Sequence, residues 1–137
     1  MDLLFGHDKA VADWVGDKVG KSFSEPYTAF GVIKDGRLIG GAVFTGFTGD
    51  AIELSIAGRG VVCRGLWAAV HNYVFRQLRC HRLAIHTSSE NKRVRKMAPH
   101  FGFVFEGKSR NLFGKHDGFC YSIVRGDLPA LRKKWGI

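Results

Sequence analysis

Three adjoining pieces decide how this chain folds: Ala51-Ile52-Glu53-Leu54-Ser55-Ile56-Ala57, then Gly58-Arg59-Gly60-Val61-Val62-Cys63-Arg64-Gly65, then residues 66–78. The first piece alternates. Ile52, Leu54 and Ile56 point one way and Glu53, Ser55 and Ala57 the other, as in a strand with one buried face. In the third piece Leu66, Trp67, Val70, Tyr73, Val74 and Leu78 fall on one side of a helix, with Asn72, Arg76 and Arg79 on the wetter side. The glycine turn between them suits an anion. A helix N-terminus offers unpaired N–H groups and partial positive charge, and phosphates settle there. Arg59 and Arg64 add full charges in a rigid fork geometry. Gly58, Gly60 and Gly65 allow close backbone approach. Taken alone, the turn also reads as a plain strand-to-helix connection with two solvated arginines.

The pattern continues in both directions. Residues 82–87 read as a further strand, with Leu83 and Ile85 on one face and Ala84 and His86 on the other. Ser88 or Ser89 is placed to cap a helix with Glu90 in its first turn, and Pro99 is expected to end it at Ala98. Phe101-Gly102-Phe103 closes this block. Upstream, residues 1–5 read as a short edge strand. Asp8 is placed to cap a helix carrying Val11, Trp14, Val15 and Val19 on one face, with Gly20 at its end. Residues 27–33 and 38–47 form a hairpin about Asp35-Gly36, and Gly40-Gly41 suggests a bulge. Downstream, residues 103–106 and 119–124 read as closing strands joined through 114–118, and residues 128–135 as a last basic turn of helix. The expected class is α+β: one mixed, mostly antiparallel sheet flanked by helices.

Composition narrows the function. A chain of 137 residues with 45% hydrophobic content is expected to form a single domain with a real core. No apolar run approaches about 18 residues, so no membrane span is expected. Residues 1–8 lack the basic and apolar regions of a signal peptide. Cys63, Cys80 and Cys120 are an odd set without CxxC spacing, which fits free thiols in a reducing cytosol. Cys80-His81 are adjacent rather than spaced, so zinc is rejected and no metal is expected. A formal charge of +9 implies an anionic partner.

Asn91, Gly102-Phe103, Glu106-Gly107 and Arg110 spell N-x10-G-F-x2-E-G-x2-R. This resembles the C-terminal motif of the GNAT N-acetyltransferase superfamily. It is most similar to the branch of the ribosomal-protein N-terminal acetyltransferases, and Tyr73-x-Phe75-x-Gln77-Leu78 is similar to compact phage-type members. The resemblance covers residues 8–125. It implies a sheet with a V-shaped splay, acetyl-coenzyme A as donor and a primary amine as acceptor. The pantetheine arm would pair with backbone at Ser55, Ile56 and Ala57. The pyrophosphate would sit on the turn from Arg59 and Gly60 to Arg64 and Gly65, and Asn91 would bond the arm. The turn keeps the character of the family's pyrophosphate motif but not its full spacing. Val94 and Ala98 stand where many relatives carry a Ser or Tyr general acid.

Acetyl transfer needs a base, an oxyanion donor and a leaving thiolate. Glu53 is the first candidate base and His86 the reserve, with a structural ion pair as the alternative for Glu53. A backbone N–H near Ile56 can hold the oxyanion. Ser88 and Tyr121 are candidate acids. Cys63 could form an acetyl-cysteine, although direct transfer is simpler. Fewer than thirty residues precede the strand at Tyr27, where relatives often place two helices. That suggests an open cleft and a large acceptor, or a wall supplied by a second copy in a homodimer. Two other readings stand beside this one. In one, the acceptor is aminoacyl-tRNA and the basic residues at 92–96 and 132–134 track phosphates. In the other, the chain is a non-catalytic binding module that keeps the fold.

Overall fold

The alternation read in residues 51–57 is realised, with Ile52, Leu54 and Ile56 buried and Glu53 exposed. The computed structural model describes residues 1–136. In chain order the elements are β1 (Asp2–Leu4), α1 (Asp8–Val19), β2 (Thr28–Lys34), β3 (Arg37–Thr45), β4 (Ala51–Ala57), α2 (Arg64–His71), β5 (Arg82–Ser88), α3 (Lys92–His100), β6 (Val104–Phe113), β7 (His116–Val124) and α4 (Leu128–Trp135). One seven-stranded sheet runs β1-β2-β3-β4-β5-β7-β6. Every neighbouring pair is antiparallel except β4–β5, which is parallel. This is the mixed, mostly antiparallel α+β sheet expected, with helices on both faces.

Period-2 burial explains the layering. Val11, Ala12 and Val15 of α1 pack on Ala29, Val43 and Ala57. Ile52, Leu54, Ile56, Leu83 and Ile85 face the other way, onto Leu66, Trp67 and Val70 of α2, Val94 and Ala98 of α3, and Leu128 and Leu131 of α4. The bulge falls at Ile39, beside the expected Gly40-Gly41: Val32 pairs with Gly40 and Ile33 with Leu38.

Four local expectations are corrected. Asp8 does not cap α1. Its Oδ1 instead accepts a bond from Ala29 N at 3.3 Å, tying the helix to β2, and His7 takes the cap position. Ser88 and Ser89 do not cap α3; Asn91 does, its Oδ1 accepting from Val94 N at 3.2 Å. Pro99 does not end that helix, which continues to His100, with Phe101 N bonded back to Met97 O at 3.2 Å. The closing hairpin is longer than expected, because β6 extends to Phe113 and turns at Gly114-Lys115.

The helix of residues 66–78 changes character midway. α2 gives way to a π-helical segment, Asn72–Gln77, in which Leu78 N reaches Tyr73 O at 2.8 Å. The wider turn shifts the buried stripe, so His71 and Phe75 join Leu66, Trp67, Val70 and Val74 inside. Tyr73 stays half-buried, its ring against Phe30 and Phe44 and its hydroxyl 3.0 Å from Thr28 Oγ1. Arg125 bonds Phe75 O at 3.0 Å and Cys80 O at 2.6 Å, satisfying carbonyls that the irregular helix end leaves open.

Candidate active site

β4 and β5 pair only as far as Leu54 and Ile85. Beyond that point β4 stays with β3, where Val43 pairs with Ser55, Ala42 with Ile56 and Gly41 with Ala57. β5 stays with β7 to Ser88. The two middle strands therefore part, and the edge of β4 over residues 55–57 that turns toward β5 has no strand against it. Unpaired backbone donors and acceptors at strand spacing suit an extended amide-bearing chain.

The opening is a cleft of about 810 Å³. Glu53, Ser55 and Ile56 of β4 and His86, Thr87 and Ser88 of β5 line its floor. Asn91 and Val94 of α3 stand on one wall, Lys18–Lys21 at the end of α1 on another, and Leu112 and Phe113 of β6 on a third. Glu53 Oε1 lies 3.7 Å from His86 Nδ1, with both side chains partly open to solvent. Two neighbouring groups able to accept a proton thus face the same space, and Ser88 lines it too. Ser88 Oγ accepts a bond from Glu90 N at 3.2 Å. The capping bond uses the carbonyl of the Asn91 side chain and leaves its NH2 group for a ligand.

The basic turn after β4 is built differently from its sequence reading. Residues Arg59–Val62 form a single 3-10 turn, held by a bond of 2.7 Å from Trp67 Nε1 to Val61 O. Gly60 is buried beneath it. A Cβ there would lie 2.9 Å from Ile39 Cγ1, and one on Gly40 would lie 2.9 Å from the Gly60 backbone. Close packing of bend on sheet accounts for this glycine. At Gly65 the nearest atom to an added Cβ is Cys63 Sγ at 3.7 Å, so no packing contact demands glycine there. Arg59 and Gly65 are exposed at the start of α2. Arg64 is exposed too, but its guanidinium donates to Trp135 O at 2.6 Å.

Two candidates leave the site. Tyr121 is buried against Phe105 and does not line the cleft. Cys63 packs beside the core at the start of α2, also outside the cleft. The floor residue Thr87 and the wall residues Leu112 and Phe113 were missed by sequence reasoning. The wall pair went unseen because β6 was read as ending at 106.

The motif that carried the resemblance is largely a packing signature. Gly102 has φ +92, and Leu131 of α4 fills the place of its missing Cβ. Phe103 is buried edge-on to Trp67, with ring centres 5.6 Å apart. Glu106 receives both arms of Arg82, at 2.9 and 2.6 Å, joining β6 to β5 across β7. Those bonds hold its carboxyl down at about 2. Arg110 lies beside Lys108, Asn111 and Asp117 on the hairpin and is not among the residues lining the cleft.

No protein-family model matches the chain, and no curated protein matches it. Solved structures do. A GCN5-related N-acetyltransferase from Brucella melitensis aligns at 26% identity and TM-score 0.71, over 95% of this chain and 64% of that one. The spermidine/spermine N-acetyltransferase SpeG from Vibrio cholerae aligns at 17% identity and TM-score 0.72, over 94% and 95%. The Campylobacter jejuni N-acetyltransferase PseH, in complex with acetyl coenzyme A, aligns at 17% identity and TM-score 0.58, over 74% and 70%. The chain spans 62% and 66% of the length of two further acetyltransferase structures. The fold is that of the GNAT acetyltransferases.

Proposed function

We propose that this protein is an N-acetyltransferase that moves an acetyl group from acetyl-coenzyme A to a primary amine. The observation that carries the reading is the parting of β4 from β5 after Leu54 and Ile85, which leaves residues 55–57 free beside the cleft. The coenzyme supplies an activated thioester. Its pantetheine amides would pair along 55–57 and with the Asn91 side chain. Its phosphates would lie on the exposed start of α2, near Arg59, Arg64 and Gly65 and above the backbone of Gly60. Arg64 would have to leave Trp135 to take part.

The chain's own groups serve the remaining steps. Glu53, with His86 beside it, takes the proton of the incoming ammonium directly or through water. The amine nitrogen then bonds to the acyl carbon, and a backbone N–H near Ile56 meets the charge developing on oxygen. The carbon–sulfur bond breaks as the thiolate leaves, with Ser88, a residue lining the same cleft, as its proton donor. The acceptor is read as macromolecular, because among the described residues α1 is the one helix on its face of the sheet that lines the cleft. A second copy of the chain could complete that wall. The Asn91–Arg110 tail favours the branch of ribosomal-protein N-terminal acetyltransferases and its compact phage-type members, and three free cysteines favour a reducing cytosol.

The test is calorimetry with acetyl-coenzyme A, followed by incubation of labelled coenzyme with a lysate and mass spectrometry of the products. Binding with transfer to an amine supports the reading. Absence of binding sinks it and leaves a binding module with this fold.

A further inference from the structure

Thr87 breaks the apolar run of its own strand face. Leu83 and Ile85 of β5 point into the core beneath α2 and α3, and alternation carries Thr87 to the same side. Its partner on β7, Phe119, packs against that core as well. Thr87 is only 5% exposed. Valine has the same shape and would serve packing alone, so the fold has no use for the hydroxyl. Among the described residues no group bonds that hydroxyl, yet it is not sealed off, because Thr87 lines the cleft. Polar side chains this deeply buried are normally hydrogen-bonded, and one left open to a cleft points to a partner that arrives with a ligand.

The place of the hydroxyl follows from register. Ile52 pairs with Leu83 and Leu54 with Ile85. Two residues further along each strand come Ile56 and Thr87, one on each side of the opening where pairing has ceased. Glu53 and His86 belong to the other side-chain face of the same two strands. The base therefore stands on one face of the parted sheet and the Thr87 hydroxyl on the other, with the gap between them.

We infer that Thr87 is a catalytic residue whose hydroxyl donates to the thioester carbonyl oxygen, as a second donor beside the backbone N–H near Ile56. The inference deepens the proposed acetyl transfer and rests on it. The pantetheine amides have the backbone of 55–57 and the Asn91 side chain to bond, which leaves the acyl oxygen for Thr87. As the amine nitrogen bonds to the acyl carbon, one electron pair of the carbon–oxygen double bond moves onto oxygen. It returns as the carbon–sulfur bond breaks, and the hydroxyl keeps its proton throughout. A donor fixed in place beforehand stabilises that charge without reorganising. Threonine suits the task because its β-branch restricts χ1.

The test compares Thr87→Val, which keeps the shape and removes the donor, with Thr87→Ser, which keeps the donor. Both are read with acetyl-coenzyme A labelled at the carbonyl carbon. The infrared stretch of the bound carbonyl is expected at lower frequency in the native chain and in Thr87→Ser than in Thr87→Val. The initial rate of acetyl transfer to lysate protein at saturating coenzyme should fall about a hundredfold in Thr87→Val, the scale of one oxyanion donor. Calorimetric affinity for acetyl-coenzyme A should change less than about threefold, since the bond gains most of its strength in the transition state. Thr87→Ser should recover most of the rate, and urea unfolding should find Thr87→Val no less stable than the native chain. An equal carbonyl frequency in the native chain and Thr87→Val overturns the inference. So does an undiminished rate in Thr87→Val, or a Thr87→Ser variant just as slow. Where the native chain binds the coenzyme and transfers acetyl, those results strike Thr87 alone; a native chain that binds no acetyl-coenzyme A sinks this inference together with the enzymatic reading.

Discussion

Glu53 and His86 face one another from adjacent parallel strands, carboxylate Oε1 to imidazole Nδ1 at 3.7 Å, on the floor of the cleft where β4 and β5 separate. If both serve the removal of one proton from the acceptor, their losses will not add. Glu53→Gln is expected to lower kcat by about a hundredfold or more, the usual scale for losing a general base. His86→Gln is expected to cost less. The double variant should be no slower than Glu53→Gln alone, a non-additivity read from steady-state rates. Fully additive losses would show two independent roles.

Gly60 and Gly65 separate packing from binding. Gly60→Ala drives a Cβ into Ile39 and the Gly40 backbone, and is expected to destabilise the fold by about 1–3 kcal/mol in urea unfolding. Gly65→Ala meets nothing closer than 3.7 Å and should be neutral or stabilising by up to about 1 kcal/mol. If phosphates lie on the start of α2, the same Gly65→Ala change should still weaken acetyl-coenzyme A binding in calorimetry. Unchanged affinity would remove Gly65 from the site.

His71 is 8% exposed, and burial, followed by Arg132 and Arg76, lowers its pKa from 6.5 to about 4. The unfolded chain therefore binds the proton first as pH falls. Stability from the neutral imidazole is fully present above about 6.5 and is lost progressively as pH drops toward about 4. The loss should be of the order of 1–3 kcal/mol. Urea unfolding at pH 7 and pH 5 should show this difference in the native chain and a smaller one in His71→Leu. Equal differences would place the titration elsewhere.

Glu106 behaves as an acid held ionised. Its folded pKa of about 2 lies below the ordinary 4.5 because Arg82 donates to both carboxylate oxygens. The pair's stabilisation is present above about 4.5 and is lost as pH falls toward about 2. Both side chains are more than a third exposed, so solvent screening keeps the contribution within about 1 kcal/mol. Glu106→Gln should be slightly less stable than the native chain at pH 7 and indistinguishable from it near pH 2. A gap that persists at low pH would assign Glu106 a packing role instead.

Much of this architecture is written in local pattern. Strict alternation in 51–57 can bury only one face, the Asp35-Gly36 pair can only turn tightly, and the stripe from Leu66 to Val74 must meet a sheet. These are short-range constraints of sterics and apolar burial, so they survive without knowledge of the partner surface. The order of elements and the Asn91–Arg110 tail then pointed to the fold. Tertiary structure decided what local pattern could not. Where β4 parts from β5 depends on two strands far apart in the chain. Long-range packing also made Gly60 a spacer against Gly40 and drew Arg64 to Trp135. Each of these outcomes is a contest between distant groups for one donor, one acceptor or one volume, and no single stretch of sequence contains both contestants.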